Sequence, residues 1–263
     1  MRPRTVLARI LTYVVPAGPC VLCGEDSEGG PAPGLCRRCW RARRKPLPPL
    51  CPVCGLPLPP VEGQEPHPCG ACLVEPPPYE AHVSAYLYKG PARALVLLYK
   101  EKRRYPLAAL LGTAVARGAL RRWPGAPFDC VAWVPSPLSR RLSRGFEPAG
   151  LVARVAAKRL GLPARPLLKC RKRPRPQKGL SAAARRENVR AAFAAAEAEV
   201  EGLRVLLVDD VRTTGATLAE AARVLVRKGA TVGAATFACV VTRDLDFAGG
   251  DGSDASSSGG REA

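Results

Sequence analysis

Four consecutive aliphatics, Val205, Leu206, Leu207 and Val208, stand between polar neighbours and lead directly into Asp209 and Asp210. A run so short and so uniformly apolar predicts a parallel strand buried on both faces. The residues that follow, Thr213, Thr214, Gly215, Ala216 and Thr217, are small and mostly hydroxylated, and Leu218, Ala221, Ala222 and Leu225 then recur at helical spacing. A second buried strand is predicted at 130–134 and an alternating strand at 83–89. Helices are predicted at 91–100 and 106–122, each opened by a proline. Together these elements predict an α/β domain with a Rossmann-like parallel sheet and right-handed connections.

A strand that passes through a Gly/Thr loop to a helix N-terminus builds an anion site, because free N–H groups and the positive end of the helix dipole converge there. Two carboxylates beside such a cradle suit a ligand with both hydroxyls and a phosphate, as in a sugar phosphate. A Walker A loop is excluded, since no Gly-Lys-Ser/Thr follows Gly215. The segment 205–217 resembles the signature of type I phosphoribosyltransferases, which bind phosphoribosyl pyrophosphate (PRPP). The resemblance implies that Asp209 and Asp210 hold the ribose hydroxyls. It further implies that Thr213, Thr214, Gly215, Ala216 and Thr217 hold the 5′-phosphate. Ligands of open α/β sheets bind beyond the carboxyl ends of strands. The turn after 130–134, with Pro135, Ser136, Arg140 and Arg144, is therefore expected to meet the Asp209 loop and to receive pyrophosphate.

The cysteines define a second module. Of 11, eight form four CxxC pairs: Cys20/Cys23, Cys36/Cys39, Cys51/Cys54 and Cys69/Cys72. The two-residue gap lets both thiolates of a knuckle face one tetrahedral metal, so four pairs predict two structural Zn2+ sites. Four thiolates leave no open position for a substrate. A sequential arrangement joins the first two pairs and then the last two, as in a double zinc ribbon; a cross-braced one interleaves them. The proline-rich link at 45–49 favours the sequential form. His67 is read as a bystander. The segment is poor in apolar residues, so metal binding is expected to supply much of its folding free energy.

Charge narrows the partners. The net charge of +19 is concentrated in residues 81–200, which carry 25 basic and 6 acidic residues, whereas 1–80 and 201–263 are near neutral. A polyanion is the expected partner there. Residues 169–193 join dense positive charge to Pro and Gly punctuation and predict a mobile lid, including Gln177, Lys178 and Arg185, followed by a short helix. The alanines of 182–198 fit that helix. No run approaches the ~20 apolar residues of a membrane span, and 2–15 lacks the pattern of a signal peptide. A cytoplasmic protein is expected. It would consist of an N-terminal helix (1–15), a double zinc ribbon (16–75), a phosphoribosyltransferase-like domain (80–243) and a disordered tail (244–263).

With these elements in view, residues 10–243 resemble the ComF/GntX family, proteins linked to natural competence and the use of external DNA. The resemblance rests on several motifs. They are the four CxxC pairs; Tyr88-Lys89-Gly90 with Lys100; Val134-Pro135 with Arg140, Arg144, Gly145 and Phe146; Gln177-Lys178-Gly179-Leu180-Ser181 with Arg185, Arg186 and Asn188; and Asp209-Asp210 with 213–217. One departure stands out: the family usually continues Arg-Gly-Phe with Asn-Gln, and here Glu147-Pro148 follow. The resemblance implies PRPP-dependent ribosyl transfer with Mg2+. Asp209, Asp210 and Arg144 would serve as catalytic residues, and the lid would help hold the departing pyrophosphate. The alternative is a non-catalytic competence factor that binds single-stranded DNA, working with competence-machinery proteins and using the fold as a scaffold.

Overall fold

The computed structural model describes residues 18–31, 34–60, 65–171, 191–196 and 200–241. The expected helix over 1–15 and tail over 244–263 lie outside them. Four apolar runs form one parallel sheet in the order β1 (His82–Leu87), β6 (Thr231–Cys239), β5 (Arg204–Arg212) and β2 (Cys130–Trp133). Successive strand side chains point to opposite faces. Leu206 and Val208 accordingly join a core with α3 (Gly90–Glu101), α4 (Leu107–Arg122) and α6 (Pro148–Leu160). Val205 and Leu207 join a second core with α7 (Ala216–Val226). Both faces are covered, which is why 205–208 show no polar alternation.

Pro91 and Pro148 occupy the first turns of α3 and α6, where a missing N–H costs nothing. At Gly112 an added Cβ would lie 2.5 Å from Val155 Cβ and 2.6 Å from the Val152 carbonyl, so α4 approaches α6 at the distance only glycine allows.

Of the alanine-rich stretch expected to be helical, only 191–196 are described, and these hold a short strand; 182–190 and 197–198 lie outside the described residues. β4 (Phe193–Ala195) pairs antiparallel with β3 (Leu168–Cys170), with Lys169 opposite Ala194. Alanine's helix preference is worth only tenths of a kcal/mol per residue. Burial of Ala192, Phe193 and Ala194 beside Leu167 and Leu168 outweighs it.

The cysteines group sequentially. Cys20, Cys23, Cys36 and Cys39 form one cluster, and Cys51, Cys54, Cys69 and Cys72 the other; within each, the four Sγ atoms lie within 4.8 Å of one another. Cys23 and Cys36 are 3.7 Å apart, as are Cys54 and Cys69. Metal–sulfur bonds of about 2.3 Å in a tetrahedron imply edges of about 3.8 Å, so both clusters fit structural Zn2+. His67 is outside both. Two short helices, α1 (Arg37–Arg41) and α2 (Gly70–Val74), each begin just after a cysteine of the second knuckle. Cys20, Leu35 and Cys36 belong to the main core, so the first ribbon packs directly on the α/β domain.

The ribbons also cover the exposed edge of β1. The His82 N–H donates to Val53 O at 2.8 Å, and the Leu87 N–H to Arg44 O at 2.8 Å. Inside this contact, His82 is fully buried. Its Nδ1 lies 2.9 Å from Cys54 O and its Nε2 3.0 Å from Thr236 Oγ1. Burial and the Arg212 charge lower its pKa to about 3, so it stays neutral. A carbonyl only accepts, so Nδ1–H donates to Cys54 and Nε2 accepts from Thr236.

Two outcomes are expected. Gly112→Ala gains about 0.5–1 kcal/mol of helix propensity, but the clash costs about 1–3 kcal/mol; urea unfolding should show net destabilisation. Cys51→Ser with Cys54→Ser should lower bound zinc from two equivalents to one. It should also speed amide exchange at His82, whose partner carbonyl lies between those two cysteines.

Candidate functional site

β2 and β5 are paired only as far as Trp133 and Val208, after which the Val134 N–H makes a last bond to Val208 O at 3.0 Å. β5 continues alongside β6 to Arg212. The chain beyond β2 turns away through Pro135, Ser136 and Pro137 into α5 (Leu138–Arg144), a helix closed by Gly145 in the left-handed region. The divergence opens a cavity of about 300 Å³ at the carboxyl end of the sheet. It is lined by Asp209, Asp210, Thr213 and Thr217 on one side and by Pro135, Ser136, Arg140 and Arg144 on the other, with Tyr88 and Lys100 between strands and helices.

Asp210 is buried and pairs with Lys100, Nζ to Oδ1 at 2.7 Å. The Asp210 N–H donates to Asp209 Oδ1 at 2.8 Å. Burial and the Asp210 charge push the Asp209 carboxyl well above its ordinary range, while Lys100 pulls it down. Ionising both carboxylates side by side is therefore costly, and a cation or a hydroxyl-bearing ligand would relieve that cost.

The loop after β5 reaches α7 through Gly215, whose φ of +85° falls in the left-handed region. Gly215, the N-cap residue of α7, has no side chain, and the Ala216 N–H makes only a long 3.4 Å bond to Thr214 Oγ1, so the first turn of α7 is weakly capped and can receive an anion. Thr213 and Thr217 face the main cavity. Thr214, Gly215 and Ala216 line a smaller one, of about 110 Å³, shared with Cys54, Tyr79 and Arg212. The loop thus stands between the main cavity and the second ribbon. Gln177, Lys178 and Arg185 lie outside the described residues.

Sequence alone gives no role to three contributors. Lys100 stands in it only as part of a motif, and its pairing with Asp210 joins two distant elements. Arg212 is 8% exposed, and a Cβ on Gly215 would come 3.0 Å from its Nε, so it buttresses the loop from below. Its Nε and Nη1 have no hydrogen-bond partner among the described residues. Burial opposes its charge, but Tyr79 and Cys54 beside it outweigh that effect and raise its pKa. Glu147 accepts the Ser136 N–H on both carboxylate oxygens, at 3.1 and 3.0 Å, and lies 3.5 Å from Arg141 Nε. Burial raises its pKa against the pull of Ser136 and Arg141, and Asp210 adds to the rise. The signal for Glu147 was its departure from the usual Asn-Gln.

Residues 142–246 match the phosphoribosyl transferase domain family and residues 10–73 the double zinc ribbon domain. DNA utilization protein YhgH of Salmonella typhi is 39% identical over 202 residues, covering 75% of this chain and 86% of that protein. Competence protein F of Haemophilus influenzae is 33% identical over 203 residues, covering 74% of this chain and 86% of that protein. Orotate phosphoribosyltransferase from Aeropyrum pernix is 24% identical and superposes loosely, with a TM-score of 0.30, covering 54% of this chain and 63% of its own. With such identity across nearly the whole of those relatives, the chain belongs to the ComF family, a double zinc ribbon followed by a phosphoribosyltransferase-type α/β domain.

Proposed function

We propose that this protein binds PRPP with Mg2+, carries out phosphoribosyltransferase chemistry, and acts in the cytoplasm in the uptake and use of external DNA. The observation that carries this reading is the meeting of Asp209, Asp210, Thr213 and Thr217 with Ser136, Arg140 and Arg144 around one cavity. The names of the relatives supply the biological setting.

In this reading the 213–217 loop and the α7 N-terminus hold the 5′-phosphate, and Asp209 and Asp210 accept the ribose hydroxyls. As the bond to pyrophosphate breaks, positive charge grows on the ribose and negative charge on the leaving group. In this reading the two carboxylates stabilise the first, and Arg140 and Arg144, which line the same cavity, stabilise the second. Lys100 pairs with Asp210 and orients it until the ligand arrives. The carboxylate oxygens in the cavity are hard donors that suit Mg2+, which supplies neutralisation of pyrophosphate charge when bound. The main contribution of the protein is positioning.

A second groove favours single-stranded DNA as a further partner. It has a volume of about 340 Å³ and lies between the first ribbon and α4, beside Trp40 and Tyr86. Its charged lining residues are Lys45, Arg117, Arg121 and Arg159, all cations, and none of them has an ion pair among the described residues. The Arg43 guanidinium lies over the Trp40 ring, so this groove offers phosphate contacts more than base stacking.

Calorimetry of the zinc-loaded protein with PRPP and Mg2+ should show binding that Asp209→Ala with Asp210→Ala abolishes; absence of binding by folded wild type would sink the PRPP reading. Replacing Lys45, Arg117, Arg121 and Arg159 together by alanine should flatten the salt dependence of single-stranded DNA binding by about 3 in slope. The aspartate variant should leave that slope unchanged. An unaltered slope in the fourfold variant would remove the groove from the DNA path.

A further inference from the structure

Pro135, Ser136 and Pro137 form the turn that leaves β2 and lines the main cavity. Proline has no N–H, so Ser136 supplies the one backbone donor of these three residues. That donor is already taken by Glu147, through both carboxylate oxygens at 3.1 and 3.0 Å. Glu147 occupies the N-cap position of α6, where a carboxylate ordinarily bonds the first turn of its own helix. Here it makes no cap bond and reaches across to the turn instead. Arg141 of α5 flanks it at 3.5 Å, and the Glu147 side chain is 15% exposed. The other charged groups acting on it include Asp210 of β5, which repels it. An internal anion therefore holds the turn beside a cavity lined by Lys100, Arg140 and Arg144.

We propose that Glu147, from behind the wall of the cavity, holds the Ser136 N–H that a bound pyrophosphate group would take, must release it when that group binds, and so sets the affinity of the cavity for pyrophosphate. The inference rests on the PRPP reading and deepens it. A pyrophosphate oxygen that takes the Ser136 N–H displaces a carboxylate of the same charge sign. The released carboxylate then remains close to the bound pyrophosphate. This penalty falls on the pyrophosphate end alone. The 5′-phosphate cradle at 213–217 belongs to the opposite wall and makes no bond to Glu147 among the described residues. Glu147 thereby weakens retention of pyrophosphate without weakening the grip on the ribose phosphate.

The test compares wild type and Glu147→Gln by calorimetry, using inorganic pyrophosphate with Mg2+ and, separately, ribose 5-phosphate. The carboxamide keeps the shape and one acceptor oxygen but removes the charge. Glu147→Gln is expected to bind pyrophosphate about tenfold more tightly, with ribose 5-phosphate affinity unchanged. Equal or weaker pyrophosphate binding by a folded variant overturns the proposal and makes Glu147 a brace for the turn. Should the variant lose its cooperative melting transition, the Ser136 amide resonance of the wild type decides. Saturating pyrophosphate is expected to shift it and ribose 5-phosphate to leave it in place; indifference to pyrophosphate overturns the proposal. If wild type binds neither probe nor PRPP, the PRPP reading falls and takes this inference with it. If wild type binds all three but Glu147→Gln gains nothing, this inference alone falls.

Discussion

The site depends on two paired strands of unequal length. β2 ends opposite Val208, while β5 runs on to Arg212 with β6 as its partner. Beyond Val208 one side of β5 has lost its neighbour, and the two aspartates emerge at that gap. Were β2 longer, the pairing would continue and the cavity would close. Pro135 and Pro137 help to end it, since neither can donate to a ladder. Pairing on the other side keeps the acidic pair on rigid backbone, as a positioning site requires.

Charge balance then constrains the walls. Two of the charges buried around the cavity are answered from another element: Asp210 by Lys100 at the end of α3, and Glu147 by the Ser136 amide and Arg141. Buried charges are tolerated only when so matched. Such contacts also leave the cavity preloaded: a cation sits on the aspartates and an anion on the turn. A ligand carrying hydroxyls at one end and pyrophosphate at the other would exchange with both. Arg212 extends the same balance towards the second cysteine cluster, so the 213–217 loop rests on a residue that also faces the ribbon.

The ribbons have a structural reason to be attached. β1 is an edge strand, and an open edge invites unwanted pairing. Val53 and Arg44 supply carbonyls to it, and neutral His82 fastens the Cys54 carbonyl to Thr236 of β6. The ribbon backbone that zinc would hold is thus part of the sheet's own covering. This contact also frames the basic groove beside α4.

Much of this was legible in the chain, for reasons that are local. A CxxC knuckle brings its own two thiolates together, so metal sites follow from spacing. A buried strand, an acidic pair and a Gly/Thr loop before a helix form one continuous segment, and their geometry travels with the backbone. Phe193–Ala195 takes its structure from β3 and from burial, not from its own propensity. Which knuckles share a metal, that Lys100 answers Asp210, that Glu147 closes on Ser136 and that Arg212 supports Gly215 each depend on segments brought together by folding. The sequence by itself determined the chemistry carried by each segment, since donor spacing and strand-to-loop order are local properties of the backbone. Only the tertiary structure decided which charge meets which, because burial makes a charge depend on whatever partner the fold places beside it.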